Sequence, residues 1–274
     1  MTQPCLTFND GNRMPRFGLG VWQMPADQTA EVVREALQLG YRLIDGAAIY
    51  GNEEGLGEGL RSSGLPRGDV FVTSKLWNSE QGHDAALHAF DASMNRLGLE
   101  YLDLYLIHWP LPAAGLYVET WKALIRLRDE GRVRSIGVAN FHEAHLDRLI
   151  GETGETPALN QIELHPSLAQ VRMRAVNERL GIVTQSWTPL GCGDFEAPEV
   201  VRISERLGAR PAQVVLRWHI QHGLSVIPKT VSAARLAENL AALDLRLTDQ
   251  DMAALDALDR GNRTGPDPEI LDLR

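Results

Sequence analysis

Residues 41–59 read YRLIDGAAIYGNEEGLGEG and contain a short strand followed by the start of a helix. The run Arg42-Leu43-Ile44 is largely aliphatic and lies between glycines, which is typical of a short buried strand. Asp45 ends that strand, Tyr50 follows in the loop, and residues 51–54 open a helix. A carboxylate at a strand end followed by a phenol indicates proton chemistry, because a phenol with a reference pKa of about 10 keeps a proton at neutral pH.

The same alternation of strand and helix continues along the chain. The candidate strands are apolar without strict alternation, as in a parallel sheet covered by helices. No Gly-x-Gly-x-x-Gly follows the first of them, which argues against a doubly wound dinucleotide-binding sheet. We therefore predict an α/β fold, a (β/α)8 TIM barrel, which typically needs about 250 residues. The eight strands are expected at Phe17–Val21, Arg42–Asp45, Val70–Lys75, Leu102–His108, Ser135–Ala139, Leu159–Ile162, Ile182–Ser186 and Ser225–Pro228.

Helices are expected between and after these strands. The first begins near Asp27 and carries an apolar stripe through Ala36 and Leu37. The others are expected at Glu53–Ser63, Asp84–Leu97, Val118–Glu130, Glu143–Ile150, Leu168–Leu180, Pro198–Leu207, Pro211–His222 and Ala233–Leu243.

Two segments lie outside this repeat. Residues 6–8 and 13–15 flank an Asp-Gly turn and predict an N-terminal β-hairpin that plugs one end of the barrel. An extra C-terminal helix is expected at Asp249–Leu258, and an irregular tail after Gly261. Because the composition does not change along the chain, we expect residues 1–274 to form a single domain.

The composition excludes several classes of protein. The chain has 274 residues, 44% of them hydrophobic, and a net charge of -9, which is unsuited to nucleic acid or anionic membranes. No signal peptide is apparent, and no apolar run approaches the roughly 20 residues of a membrane helix. Cys5 and Cys192 are far apart and are expected to be free thiols. We expect a cytoplasmic protein that acts as a monomer on a small molecule.

In a TIM barrel, the active site is built from residues at the carboxyl ends of the strands and in the loops that follow. A titratable or hydrogen-bonding group occupies nearly every one of these positions. They are, in chain order, Trp22, Asp45 with Tyr50, Lys75 with Trp77, His108 with Trp109, Asn140, Gln161, Trp187 and Lys229.

These residue types predict the reduction of a carbonyl group. Lys75 near Tyr50 would lower the pKa of the phenol, and Asp45 would pair with the buried ammonium. His108 would orient the substrate oxygen, to which Tyr50 gives a proton. No side chain donates hydride, so a reduced nicotinamide is implied. Asn140 and Gln161 are candidates to bind its carboxamide, and Trp187 to stack on its ring.

Several motifs, taken together, resemble the aldo-keto reductase family over nearly the whole chain. Within the family the chain is most similar to bacterial 2,5-diketo-D-gluconate reductases. The resemblance implies a catalytic tetrad of Asp45, Tyr50, Lys75 and His108, and NADP(H) bound across the barrel mouth. The motifs are GYRLIDGAAIYGNEEGLG, TSKLWN, LYLIHWP, SIGVANF, NQIELHP, QSWTPLG and VIPKT followed by AARLAENL.

The resemblance also implies which residues hold the cofactor and the substrate. Lys229, Thr230 and Arg235 match the segment that binds the 2′-phosphate, and Glu238 and Asn239 match contacts to adenine. The complete cofactor set is Asn140, Gln161, Trp187, Leu190, Lys229, Thr230, Val231, Arg235, Glu238 and Asn239. The substrate set is Trp22, Tyr50, Trp77, His108 and Trp109.

Two positions depart from the family pattern. Gly46 follows the tetrad aspartate where the family usually has Thr, and Ala139 precedes Asn140 where it usually has Ser. The second change removes a hydrogen bond to the carboxamide, typically about 0.5–1.5 kcal/mol. We therefore expect Ala139→Ser to tighten NADPH binding.

Other interpretations of these residues remain open at this stage. Asp45 and Lys75 alone would also suit a structural ion pair, and the chain as a whole would also suit a non-catalytic NADP-binding protein that keeps the fold. The substrate is 2,5-diketo-D-gluconate or a broad range of carbonyls, and the short tail favours an open site. His142 and His145 lack further ligands for a metal, so no metal is expected, and His165 is interpreted as structural.

Overall fold

The computed structural model describes residues 3–191 and 193–273. Eight parallel strands, β3 to β10, pair in chain order, and the sheet closes through a parallel bridge between Phe17 and Val226. The predicted barrel is confirmed. The strands are β1 Cys5–Thr7, β2 Arg13–Pro15, β3 Leu19–Gly20, β4 Leu43–Asp45, β5 Phe71–Leu76, β6 Leu102–Ile107, β7 Val133–Ala139, β8 Leu159–Glu163, β9 Val183–Trp187 and β10 Ser225–Val226.

The helices cover the outer face of the barrel. In the first of them, Val33, Ala36 and Leu37 are buried in the hydrophobic core, as the apolar stripe predicts. The helix ends at Gly40, whose φ of 109° is easily reached only by glycine. The helices are α1 Ala26–Leu39, α2 Glu53–Ser62, α3 His83–Leu97, α4 Tyr117–Asp129, α5 Glu143–Thr153, α6 Val171–Arg179, α7 Pro198–Leu207, α8 Pro211–Gln221, α9 Ala233–Leu240 and α10 Asp249–Asp256.

The hairpin β1–β2 closes the amino-terminal end of the barrel. Its strands pair antiparallel, with Leu6 opposite Met14. Phe8 and Met14 are buried, and they pack in one apolar cluster with strand residues such as Leu104 and Leu159. This end of the interior is therefore filled with apolar side chains, and the predicted plug is confirmed.

Some expected boundaries were wrong. The strands on either side of the closure are shorter than expected, since β3 has two residues and β10 ends at Val226, before Pro228, which has no N–H to donate. The helix expected from Leu168 begins only at Val171, after Gln170 with a φ of 50°. The helix after β10 ends at Leu240 and continues as a 3-10 turn, Ala241–Asp244.

None of the helices within 3–191 and 193–273 is long and apolar enough to cross a membrane. Cys5 is a free thiol, as expected, whereas Cys192 lies outside the described residues.

Candidate active site

A lysine with no exposed surface is the centre of the site. The Lys75 ammonium, on β5, donates to Asp45 Oδ1 at 2.5 Å and to the Gly46 carbonyl at 2.8 Å. Its third contact is the Tyr50 hydroxyl, at 3.4 Å. Asp45 ends β4, the strand that pairs with β5, so the strand register brings the carboxylate to the ammonium. All three donors of the ammonium are therefore directed at neighbours within the predicted tetrad or its backbone.

The protonation states of this group follow from burial and charge. Burial alone would lower the pKa of Lys75, but Asp45 and Tyr50 outweigh it and the pKa is raised, so the ammonium stays charged. For Tyr50, burial raises the pKa and Lys75 lowers it, with a net increase above 10. Lys75 does lower this pKa, as expected from the sequence, but burial outweighs its effect. The phenol remains protonated at neutral pH.

Gly46 leaves space for a neighbouring side chain. A Cβ at this position would lie 2.8 Å from Cδ1 of Leu56, on α2. A larger residue at this position would therefore require Leu56 to move.

His108, directly after β6, faces the phenol across the mouth. Its ring lies edge-on to Tyr50, with centroids 5.8 Å apart, and to Trp77 at 5.3 Å. Burial, with a smaller contribution from Lys75, lowers its pKa well below 6.5, so the imidazole is neutral. Its Nδ1 is buried without a hydrogen-bond partner among the described residues. A neutral imidazole here can donate a hydrogen bond to an oxygen without adding charge.

The Gln161 side chain, on β8, is hydrogen-bonded to a residue of the predicted tetrad. Its amide nitrogen donates to Asp45 Oδ2 at 2.8 Å and to Gln185 Oε1 at 2.6 Å. Gln185 donates in turn to the Ser225 hydroxyl at 3.0 Å. Both N–H groups of Gln161 are thus committed, and only its carbonyl oxygen is left to meet a carboxamide.

Gln185 is a residue that sequence reasoning missed. It lies opposite Gln161 in the register of β8 and β9, and two residues before Trp187. Residues two apart on a strand share a face. The sequence therefore did contain a signal for Gln185, which is a polar residue two positions before the predicted site residue Trp187.

Asn140 and Trp187, which were both assigned to the nicotinamide from the sequence, are hydrogen-bonded to each other. The indole Nε1 donates to Asn140 Oδ1 at 2.9 Å, and Asn140 Nδ2 donates to the His108 carbonyl at 3.0 Å. Asn140 has a φ of 64°, a left-handed conformation that Asn tolerates better than most residues. Leu190 packs against the core after Trp187, and Ala139 is fully buried beside Asn140.

The segment matched to the 2′-phosphate carries two exposed cations. The Lys229 and Arg235 side chains make no ion pair within 3–191 and 193–273. They flank the start of α9, where the Ser232 hydroxyl accepts from the Arg235 backbone N–H and Thr230 Oγ1 accepts from the Ser232 N–H. Unpaired cations beside a helix amino terminus suit a phosphate, so this donor set fits NADP(H).

The remaining residues of this segment have mixed exposure. Val231 is exposed and Asn239 is buried. Glu238 lies 3.7 Å from Arg210, and its backbone carbonyl accepts from Gln213.

The three tryptophans assigned to the substrate lie at different depths. Trp22 is 52% exposed, whereas Trp109 is 8% exposed. Trp77 lies against His108, as described above. Trp109 lies edge-on to Trp187, with centroids 6.5 Å apart, and so connects the substrate and cofactor sets.

Glu163 and the C-terminal tail are the largest feature that sequence reasoning missed. The Glu163 carboxylate, at the end of β8, accepts from the Thr264 N–H at 2.7 Å, the Thr264 hydroxyl at 2.6 Å and the Gly265 N–H at 2.9 Å. Gly265 rests on Trp187, since a Cβ on it would lie 2.4 Å from the ring. An acid two residues after Gln161 was a signal, but nothing in the sequence pairs it with a tail about a hundred residues away.

Further along, the tail is held to other loops at the mouth. Glu269 contacts His142 Nδ1 at 2.6 Å and His145 at 3.6 Å, and the Leu273 carbonyl accepts from Asn78 at 2.7 Å. The tail therefore runs from the end of β8 to the loop after β5. In the described part of the chain, no three His, Cys, Asp or Glu side chains form a group that would hold a metal.

Comparisons with known proteins identify the family of this chain. Residues 14–260 match the model of the Aldo/keto reductase family. An aldo-keto reductase of Mycolicibacterium smegmatis is 54% identical, over 98% of each chain. The methylglyoxal reductase DkgA of Escherichia coli is 46% identical, over 96% of each chain. A crystal structure of a Gox0644 variant in complex with NADPH superposes with a TM-score of 0.96 at 49% identity, covering all of both chains. The chain therefore belongs to the aldo/keto reductase family.

Proposed function

We propose that this chain reduces neutral, largely apolar aldehydes and ketones with NADPH, and that Tyr50 gives the proton. The observation that carries the proposal is the Tyr50 hydroxyl, protonated and 3.4 Å from a charged Lys75, facing His108 across the mouth. As a member of its family the chain is an NADP-dependent oxidoreductase. The complete tetrad favours this over a non-catalytic NADP-binding protein.

The cofactor, when bound, supplies the hydride. Lys229, Thr230 and Arg235 would bind its 2′-phosphate, with Val231, Glu238 and Asn239 nearby. Asn140, the carbonyl of Gln161, Trp187 and Leu190 would hold the nicotinamide end. The 2′-phosphate is recognised by charge-assisted hydrogen bonds, so NADPH is preferred over NADH.

The chain's own side chains would handle the proton. The neutral His108 donates a hydrogen bond to the carbonyl oxygen and orients it towards Tyr50. The phenol gives its proton to that oxygen as negative charge develops there, and the adjacent Lys75 ammonium stabilises the phenolate left behind. Asp45 and the Gly46 carbonyl keep the ammonium in place.

The mouth is suited to a neutral substrate. The loops after β3 to β9 (residues 21–25, 46–52, 77–82, 108–116, 140–142, 164–170 and 188–197) contain no Lys or Arg. A substrate carboxylate would therefore find no unpaired cation on these loops. This disfavours 2,5-diketo-D-gluconate, which is an anion.

Exposed apolar side chains surround the same opening. Large hydrophobic residues are rarely left exposed in groups on a soluble protein without a binding role. Those in the mouth loops and the tail are Trp22, Ile49, Leu116, Ile270 and Leu273. The tail crosses the mouth, so the site is less open than the sequence led us to expect. We therefore attribute broad substrate specificity to the apolar rim.

The test is a rate panel that follows NADPH absorbance with methylglyoxal, phenylglyoxal, an aromatic aldehyde and 2,5-diketo-D-gluconate, with parallel NADH assays. We expect higher kcat/KM for the neutral compounds, and weaker activity with NADH. Leu116→Lys, which adds a cation at the rim, should raise kcat/KM for the anion selectively. A wild-type preference for 2,5-diketo-D-gluconate would refute the substrate class, and absence of turnover with every carbonyl would refute the function.

All the proposed groups come from one chain, which supports the proposal that the monomer is active. Light scattering at assay concentrations tests this directly.

A further inference from the structure

We propose that the buried His165 imidazolium, held between Glu163 and Asp194, is a positioning residue that fastens two segments against the nicotinamide end of the site. The proposal rests on the proposed function, because it assigns a role in NADPH retention. The group formed by Glu163, His165, Ser167, Asp194 and Thr264 is called the anchor cluster below.

Both nitrogens of the His165 ring face carboxylates. Nε2 lies 3.2 Å from Glu163 Oε1, and Nδ1 lies 3.0 Å from Asp194 Oδ2. Ser167 Oγ lies 3.0 Å from Nδ1 and donates to Asp194 Oδ1 at 2.7 Å. The ring has no exposed surface. Two carboxylates in this geometry require both nitrogens to carry protons, so the ring is a cation.

The titration of the cluster agrees with this geometry. Burial would lower the pKa of His165, but hydrogen bonds to Asp194 and Glu163 outweigh it and raise the pKa to about 9. Burial likewise opposes the Glu163 charge, but bonds from His165 and Thr264 hold its pKa at about 2. The other titratable groups nearby are Arg263, 3.7 Å from Glu163, and His219 on α8, whose pKa burial lowers to about 3.

One carboxylate of the cluster holds the tail. Glu163 accepts three hydrogen bonds from Thr264 and Gly265, as described above. Arg260 and Asn262 also donate their backbone N–H groups to the Ser167 carbonyl. Since Gly265 lies on the Trp187 ring, the carboxylate sets the position of the tail over that ring.

The other carboxylate holds the loop that follows Trp187. Asp194 lies between β9 and α7, in the 3-10 turn Asp194–Glu196. Besides the imidazolium, it accepts from the Ser167 N–H at 2.8 Å. The loop that follows Trp187 and the tail whose Gly265 lies on the Trp187 ring are thus both attached to the His165 imidazolium.

Loss of that cation has a defined consequence. Without the positive charge, two carboxylates face one neutral ring, and one of them must lose a hydrogen-bond donor. Trp187 would lose the fixed packing of Gly265, and with it the fixed position of its bond to Asn140. The effect falls on the retention of NADPH and leaves proton transfer at Tyr50 intact.

The pH dependence follows from the sign of the shift. The folded-state pKa of His165, about 9, lies above its ordinary 6.5. The stabilisation is therefore complete below about pH 6.5 and is lost as the pH rises through about 9. We expect NADPH affinity to fall across the same range.

The experiment compares Asp194→Asn, which weakens the loop side, with Glu163→Gln, which weakens the tail side, in the full-length protein. Asp251→Asn is the matched control, since this carboxylate accepts from Thr248, which precedes α10, and from Arg206 on α7. NADPH binding is followed by tryptophan fluorescence and stopped-flow release between pH 6 and 10. Thr264→Val replaces Glu163→Gln if the latter does not fold.

We expect a Kd for NADPH about tenfold or more higher in both arms, with faster release and no loss of kcat at saturating NADPH. The midpoint of the pH-dependent fall in affinity should move below 9, because one carboxylate no longer supports the imidazolium. The control should match the wild type. Unchanged affinity and midpoint in either arm, or equal effects in the control, would overturn the proposal while leaving the reductase function in place. A wild type that does not bind NADPH would overturn both.

Discussion

Two buried ionic clusters lie at the same end of the barrel, and they differ in how completely their polar atoms are hydrogen-bonded. In the tetrad, Lys75 is fully bonded, but the Tyr50 hydroxyl has only a long contact and His108 Nδ1 has no partner among the described residues. In the anchor cluster, both ring nitrogens of His165 and both oxygens of Asp194 have partners. Hydrogen bonding is incomplete in the cluster proposed to meet a substrate and complete in the one proposed to hold backbone in place.

The sharpest test of this contrast is Tyr50→Phe. Removing the proton donor should lower kcat by a factor of about 10²–10⁴ while NADPH affinity is retained. Rates and fluorescence titrations measure the two quantities separately. Tyr101→Phe, before β6 at the closed end, serves as the control and should behave as the wild type. Loss of NADPH binding in Tyr50→Phe would place the phenol in the anchoring role instead.

Lys75→Met should reveal how much the tetrad depends on its cation. The substitution leaves the Asp45 carboxylate buried without its ion pair, which typically costs about 3–5 kcal/mol of unfolding free energy. Urea denaturation measures it. Lys122→Met removes an exposed pair with Glu119 and should cost less than about 1 kcal/mol. Similar losses of unfolding free energy in Lys75→Met and Lys122→Met would contradict the assignment of Lys75 and Asp45 as a buried ion pair.

Gln161→Leu tests whether the amide belongs to the tetrad. It removes the bond to the second oxygen of Asp45, and bonds to charged groups contribute about 1.5–3 kcal/mol. We expect that loss in urea denaturation. Gln213→Leu, which removes neutral bonds to the backbone of Arg210 and Glu238, should cost less. A cost for Gln161→Leu no greater than the control would show that Asp45 does not need this donor.

The smallest expected effect is that of Ala139→Ser. A hydroxyl beside Asn140 should add one bond to the carboxamide and tighten NADPH binding by about 0.5–1.5 kcal/mol. Ala158→Ser adds a hydroxyl to the same apolar cluster at the start of β8 and should leave the affinity unchanged. Unchanged or weaker binding in Ala139→Ser would remove Ala139 from the nicotinamide site.

The tetrad was predictable because strand ends converge in a barrel. Asp45 and Lys75 lie at the carboxyl ends of apolar strands, and His108 directly follows one, so the fold alone brings them together. The net pKa shift of Tyr50 was not predictable, since it depends on how deeply the ring is buried. The anchor cluster was not predictable either, because Asp194 and Thr264 lie in irregular backbone far from Glu163 in sequence. Periodicity carries no information about such contacts.

The hairpin plug has a kinetic consequence. With Phe8 and Met14 closing one end, substrate and cofactor share a single entrance. The groups assigned to the nicotinamide, Asn140 and Gln161, are 4% and 3% exposed, whereas Trp22 on the substrate side is 52% exposed. The proposed nicotinamide site is therefore deeply buried, and a carbonyl compound bound in front of it would obstruct the exit of the cofactor. We therefore expect an ordered sequence, in which NADPH binds first, the alcohol departs, and NADP+ leaves last.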